Sequence, residues 1–416
     1  CLGVWGFYLL CFWPGSMSPE SLDQWRQVLR TNFKDWHPAF HTMNIWLITR
    51  LALSPALVAG VQILVLGTAV GWSLSVLQRY GVSRAVLWLT AILVAICPVN
   101  GLMAVTLWKD LAYSVVLLVL AVYLFQVVVS GGGWLAHKRN WLLLGLLLTL
   151  VSLYRHNGVI PAVCTVAALL FFYRRCWVGI TTAAFVALVL TFTIRGPLYD
   201  MLDVGRGNPM QNAFRSLQRD VLSLSFLRSG AETKDKNQDK SQTAAAQLPT
   251  ESVEPASTPL KKAEGDLQKV QDRIYSASRL WRILPMQTFH KRIEYVNLWE
   301  KRHGDDSDAL DIRYVSSNSV GVEERPLLPA GRDLLYGVFN QSRFNPAFFW
   351  MWRPAVYLYL LTALFITQSW RMRKNLWLAM LPALVNSLPI FLVVVHKSIF
   401  RYHYPLVLLG MVLIVP

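Results

Sequence analysis

KDLAYSVVLLVLAVYLFQVVVS, residues 109–130, decides the fold. From Leu111 to Ser130 it holds no charged side chain. A bilayer core takes about 20 apolar residues as one helix, at about 1.5 Å rise per residue. A helix on the surface of a soluble protein keeps a polar face, and this stretch has none. Lys109 and Asp110 stand where it begins, so the charge sits at the boundary of the apolar run and not inside it.

Working outward, further apolar runs lie at 1–13, 45–77, 85–100, 141–154, 158–172, 177–194, 350–368, 376–395 and 402–416. The expectation is an all-α, polytopic transmembrane bundle of about ten or more spans. Ser54-Pro55 is expected to split 45–77 into an interfacial helix and a true span. The chain starts at Cys1 and stops at Pro416 inside apolar runs, so residues are expected to be missing at both ends. Residues 1–13 then read as the tail of a first transmembrane helix, since a signal peptide needs a basic flank.

Composition agrees. The chain of 416 residues is 54% hydrophobic and 15% charged, with a formal net charge of +16. Its mean hydropathy is +0.38. Soluble domains carry about 25% charged residues. In a membrane protein the positive excess points to anionic headgroups and phosphates, not to nucleic acid. The five cysteines, Cys1, Cys11, Cys97, Cys164 and Cys176, lack metal-ligand spacing and lie in or beside apolar runs. They read as small hydrophobes, with no disulfide framework.

Charge sorts the breaks between runs. Those at 78–84, 131–140, 173–176 and 369–374 hold Arg79, Arg84, Lys138, Arg139, Arg174, Arg175, Arg371, Arg373 and Lys374, and no Asp or Glu. Short basic loops face the cytoplasm. Counting spans from residue 1 puts all four on one side. The other side receives the first outer loop 14–44, the turn 100–110, the break 155–157, the large loop 195–349 and the break 396–401. The domain organisation is therefore an N-terminal membrane domain 1–194, the large outer loop 195–349 and C-terminal membrane helices 350–416. Within the loop, 231–266 is polar and nearly free of aromatics, so it reads as a disordered insertion.

Chemistry-bearing residues gather on the outer side. In the first outer loop, Ser18-Pro19-Glu20 opens like a helix, with Ser18 as N-cap and Pro19 in its first turn. Glu20, Asp23 and Gln24 then share one face. Asp35-Trp36-His37-Pro38 follows before the chain re-enters the membrane. Glu20, Asp23 and Asp35 are candidate general bases. The plain alternative for this loop is capping plus a solvated surface helix. No cofactor is predicted; a divalent cation held by these carboxylates stays open as an alternative. Lys109-Asp110 at a span boundary needs a partner or a function. Arg155-His156-Asn157, and His396-Lys397 with Arg401-Tyr402-His403, place basic groups on the side that positive-inside disfavours. Arg binds phosphate bidentately and Lys adds a point charge. There is no P-loop, GxGxxG, HExxH or GxSxG.

The ordered set SPESLDQ, DWHP, WKD, RHN and FRYHY resembles a group of largely uncharacterised bacterial membrane proteins that look like members of the GT-C glycosyltransferase superfamily. The likeness runs from about residue 14 to 405, leaving out the middle of the large loop. Its first motif usually carries Asp where this chain has Glu20, and its Asp-Trp-His-Pro-Pro is Asp35-Trp36-His37-Pro38-Ala39 here. The resemblance implies a sugar transferase of the bacterial cytoplasmic membrane, with its site facing outward. Its partners would be a polyprenyl-phosphate-linked donor, a glycan, lipid or protein acceptor, and membrane lipid. An acid of the first loop would act as catalyst, and Lys109, Arg155, His156 and Arg401 would bind the donor phosphate. Gln24, His37, Asp110, Asn157, Tyr402 and His403 would support them. The rival readings are a flippase for a lipid-linked saccharide, for which Gln62 and Asn386 are the polar mid-span candidates, and a non-catalytic envelope-assembly protein.

Overall fold

The computed structural model describes residues 1–206, 315–345, 347–393 and 400–414. The insertion 231–266 and the basic pair His396-Lys397 lie outside the described residues. The chain divides into two compact units, Cys1–Asn208 with Val296–Pro416, and Pro209–Tyr295. The first unit thus includes both ends of the stretch that the sequence assigns to the large loop. Among the described residues the fold is all-helical, with only isolated bridges between extended segments.

The first half of the chain forms α1 (Leu2–Cys11), α2 (Pro19–Arg30), α3 (Ala39–Thr49), α4 (Pro55–Arg79), α5 (Arg84–Ile96), α6 (Pro98–Val105) and α7 (Lys109–Val129). It continues with α8 (Lys138–Tyr154), α9 (Val159–Phe172) and α10 (Trp177–Thr193). The last part of the stretch read as the large loop forms α11 (Pro329–Phe344), and after it come α12 (Pro354–Met372), α13 (Leu381–Val393) and α14 (Phe400–Leu413).

The 109–130 stretch becomes α7, and α4, α8, α13 and α14 pack around it. Its apolar window is 78% buried within the protein, against 17% for Arg174–Met201, which includes α10. A helix apolar on every side belongs in the middle of a bundle, and α7 occupies that place. It ends where Gly131 and Gly132 take φ of +61° and +92°. That conformation suits glycine and lets the Gly132 N–H close back on the Val127 carbonyl at 2.8 Å.

Among the described residues, three helices are long and apolar enough to cross a membrane: Pro55–Arg79, Lys109–Val129 and Arg174–Met201. The pair α5 and α6, bent by 59°, makes a fourth when counted as one broken span. This is the coarse part of the ten-span expectation. Among the described residues, other apolar runs give shorter helices: α8 has 17 residues and α9 14. The 19-residue α12 is diluted by tyrosines, threonines, Gln368 and Ser369.

Two local outcomes follow from proline. The chain breaks at Ser54-Pro55, since α3 stops at Thr49 and α4 starts at Pro55. At Pro98, by contrast, a turn was expected over 100–110, and 98–105 instead forms a helix with all eight residues buried. Pro98 cannot continue α5 but is well placed to start a new helix. Side-chain amides satisfy the exposed backbone ends: Asn100 donates to the Val94 carbonyl at 2.8 Å, and Gln62 donates to Thr106 at 3.1 Å and Ala104 at 3.4 Å.

The four short basic loops meet at one end of the bundle. The Lys374 ammonium donates to the Val129 carbonyl. Cys176 Sγ donates to the Gly132 carbonyl at 3.6 Å, and the rings of Phe172 and Trp377 meet at 5.6 Å. Tyr80 packs edge-on against Phe125, in the last turns of α7, at 5.2 Å. The acidic first loop lies at the opposite end of α7.

Candidate functional site

The site is assembled where the first loop is laced onto the start of α7. The Ser16 N–H donates to the Val105 carbonyl at 2.9 Å, and the Leu107 N–H returns a bond to Ser16 at 3.1 Å. Ser18 then caps α2 by accepting from the Ser21 N–H at 3.3 Å, with Pro19 in the first turn. The Trp108 indole donates to Ser18 Oγ at 3.0 Å, and the Ser21 hydroxyl donates to the Leu107 carbonyl at 2.7 Å. These bonds fix the first turn of α2 against the 106–109 junction and bring Glu20 over Lys109.

Five charged groups then converge. The Lys109 ammonium donates to Glu20 Oε1, which also lies 3.1 Å from His37 Nδ1. The other Glu20 oxygen takes the Arg401 guanidinium at 2.7 Å. Arg401 reaches Asp110 at 3.8 Å from its second side, and Arg155 reaches the other Asp110 oxygen at 3.5 Å. The side chains are 8% exposed for Lys109, 10% for Glu20, 8% for Arg155, 14% for Arg401 and 1% for Asp110. By formal charge, three basic side chains face two carboxylates. Burial, and then the nearby Arg401, push the His37 imidazole below its ordinary pKa, so it adds no charge at neutral pH.

Aromatic rings hold the guanidinium planes. Arg401 lies 4.8 Å over Trp108 and 5.2 Å over Tyr402; Arg155 lies 4.4 Å over Tyr402 and 5.4 Å over Tyr113. Arg155 also donates to the Tyr402 carbonyl at 3.4 Å. It is turned inward by the 155–158 break, which is tight enough that a Cβ on Gly158 would sit 1.9 Å from the Val151 carbonyl oxygen. Glycine is therefore required there.

The sequence-selected residues separate into three groups. Glu20, His37, Lys109, Asp110, Arg155 and Arg401 come together, with Tyr402 as their aromatic wall. Gln24 and His156 sit beside the cluster. Gln24 Oε1 meets His41 Nδ1 at 3.2 Å, and His156 bonds the Trp36 backbone within electrostatic reach of Asp35 and Lys109. Asn157 is half-buried in the same break. The remaining three turn elsewhere. Asp23 is 46% exposed and is held by Arg26 at 3.4 Å and Gln27 at 2.9 Å. Asp35 accepts from the Ala39 N–H at 2.8 Å and so caps α3. His403 is buried against Ser387 at 3.2 Å. Trp108, Tyr113, Ser18, Ser21 and His41 complete the site and were not selected for it from the sequence. Trp108 stood inside a motif read only for its charges.

Among the described residues no group of three or more His, Cys, Asp or Glu is placed to hold a metal ion. Glu20 and Asp110 are separated by a shared guanidinium, so their carboxylates meet cations of the chain. Comparison of the chain with models of protein families, with curated proteins and with solved structures finds no match.

Two outcomes follow from these placements. Asp35→Ala removes the α3 cap, and a stability loss of about 1 kcal/mol is expected, read as a lower unfolding midpoint. The ion cluster should be untouched, because Asp35 is no member of it. His41 is fully buried, and that burial lowers its pKa from 6.5 to about 4. The folded state then binds the proton less readily than the unfolded chain. Stability should fall as pH drops from about 6.5 to about 4, and hold above that window. Unfolding midpoints measured across that range check it, with His41→Gln expected to remove part of the dependence, since burial also lowers His37 and His156.

Proposed function

We propose that this protein is an integral membrane glycosyltransferase of the GT-C kind, acting on the outer side of the bacterial cytoplasmic membrane. It transfers a sugar from a polyprenyl-phosphate-linked donor to a cell-envelope glycan, lipid or protein, with inversion. The observation that carries this reading is the convergence of Glu20 with Lys109, Arg155 and Arg401 at the end of the bundle away from the basic loops. A sugar-phosphate-polyprenol is a phosphodiester with one negative charge, and the cluster's three basic side chains outnumber its two carboxylates.

The chemistry balances on these groups. An acceptor hydroxyl oxygen attacks the anomeric carbon, forming the new C–O bond, while its proton passes to the Glu20 carboxylate. The bond from the anomeric carbon to the phosphate oxygen breaks, and its electron pair leaves with polyprenyl phosphate. The leaving monophosphate carries more charge than the diester did. Protonation of Glu20 releases Lys109 and Arg401 at that moment, so both cations become free for the developing phosphate charge. Of the three acids selected from the sequence, Glu20 best fits the base, since Asp23 and Asp35 are committed to helix contacts.

The flippase alternative gains nothing from its mid-span polar residues. Gln62 caps the end of α6, and Asn386 bridges the Tyr113 hydroxyl at 3.0 Å and the Tyr402 carbonyl at 3.3 Å. The test uses membranes of a bacterium producing the protein, given undecaprenyl phosphate carrying a labelled sugar. Label is expected to pass from lipid to the envelope fraction with the wild-type protein, and to remain on lipid with Arg401→Gln. Label that stays on lipid in both sinks the reading.

A further inference from the structure

Beside the ion cluster lies a set of buried polar atoms with hydrogen-bonding capacity unspent. Gln24 Nε2 and His156 Nε2 have no hydrogen-bond partner, and the two Asp110 oxygens lack one too, meeting Arg155 and Arg401 only in longer ion pairs at 3.5 and 3.8 Å. Gln24 and Asp110 are each 1% exposed. His41 links them: its Nδ1 meets Gln24 Oε1 at 3.2 Å, and it lies within electrostatic reach of Asp110. These groups come from α2, α3, the start of α7 and the break after α8, under the Asp35–Pro38 turn.

A buried polar group left unbonded costs about 1–3 kcal/mol, and folded proteins satisfy nearly all of them. Several such atoms around one ion cluster suit something that both donates and accepts. An isolated anion fits poorly here, because the Asp110 oxygens would repel it. An apolar chain fits worse, since it would leave every one of these atoms unbonded. A sugar ring carries hydroxyls that each donate and accept, which suits an amide N–H, two carboxylate oxygens and an imidazole nitrogen together. Burial keeps His41 neutral at pH 7, so the surface also lacks the extra cation that a second phosphate would need.

We infer that Gln24, His41, Asp110 and His156 form a hydroxyl-reading subsite beside the phosphate cluster and take the sugar ring of the donor lipid. This rests on the glycosyltransferase reading above and deepens it. The phosphate cluster binds whatever polyprenyl phosphate enters, and this neighbouring face selects lipids that carry a sugar.

The experiment measures binding of the protein in nanodiscs to undecaprenyl methyl phosphate, a sugarless diester of the same charge that serves as the bare lipid, and to undecaprenyl phosphate carrying glucose, galactose, mannose or arabinose. At least one glycosylated lipid is expected to bind about fivefold tighter than the bare one, the worth of one neutral hydrogen bond. Gln24→Met is expected to bring that lipid down to the bare-lipid affinity while leaving bare-lipid binding unchanged. Bare-lipid binding is also the folding control, and His41→Leu decides should Gln24→Met lose it. Equal binding of bare and glycosylated lipids by the wild type overturns the inference and leaves the phosphate reading standing. Unchanged sugar preference in the folded variants overturns it too. A wild-type protein that binds none of these lipids sinks both.

Discussion

Glu20→Gln is expected to lower sugar transfer by about 10²- to 10⁴-fold, the usual contribution of a positioned general base. The amide keeps the shape of the side chain and removes its ability to take the acceptor proton. It also removes the negative charge that holds Lys109, Arg401 and His37 together. Two effects are thereby mixed, and they separate by assay. Freed cations should hold bare undecaprenyl phosphate at least as well as the wild type, because a competing carboxylate is gone. Catalysis should collapse regardless, because no base remains at that place. Glu20→Asp keeps the base but shortens it by one methylene, and an intermediate rate is expected. Transfer by Glu20→Gln at the wild-type rate would remove Glu20 from the base role. Weaker binding of the bare lipid by this variant would show that Glu20 organises the cations instead of competing with the ligand.

The membrane-like architecture was legible because it depends on averages over many residues. An uncharged run such as 111–130 has one good home, and the nine basic residues of the four short loops repeat one pattern. The number of spans was less legible. Hydropathy counts apolar residues, whereas local turns set where a helix stops, as in α9, which runs only from the Gly158 turn to the turn at Tyr173. The break at Pro98 shows the limit. A buried eight-residue helix and an exposed turn carry the same apolar letters, and only the amides of Gln62 and Asn100 reveal which one forms.

The site was half legible for a related reason. Charge in an apolar setting is conspicuous, so Glu20, Lys109, Asp110, Arg155 and Arg401 stood out before any fold was known. Their grouping was not written in spacing, since Glu20 and Arg401 lie at opposite ends of the chain. Asp23 and Asp35 were equally conspicuous and serve helix contacts instead. A carboxylate one turn into a helix and a carboxylate just before one look alike until their partners are known. Trp108, Tyr113 and His41 carry no net charge at neutral pH, so nothing in the charge pattern marked them.

Asp110→Asn is expected to be the most destabilising single change at the site, by about 3–5 kcal/mol. Asp110 is the counter-charge between Arg155 at 3.5 Å and Arg401 at 3.8 Å, and it is 1% exposed. The amide keeps its volume, so the expected loss comes from charge and not from a cavity. Two guanidiniums would then face each other across a neutral group, with Glu20 alone to balance Lys109 and Arg401. Removing one member of a buried ion group leaves the other uncompensated, which is far costlier than losing an exposed pair. Asp23→Asn is the control: its carboxylate is 46% exposed, and a change within about 0.5 kcal/mol is expected. Adding Arg155→Met to Asp110→Asn should recover part of the stability, because the uncompensated charge is removed and a long apolar side chain fills its place. Unfolding midpoints in detergent for the three variants decide it. An Asp110→Asn protein as stable as the wild type, or a double variant worse than the single one, would mean that the two arginines are balanced by groups other than Asp110.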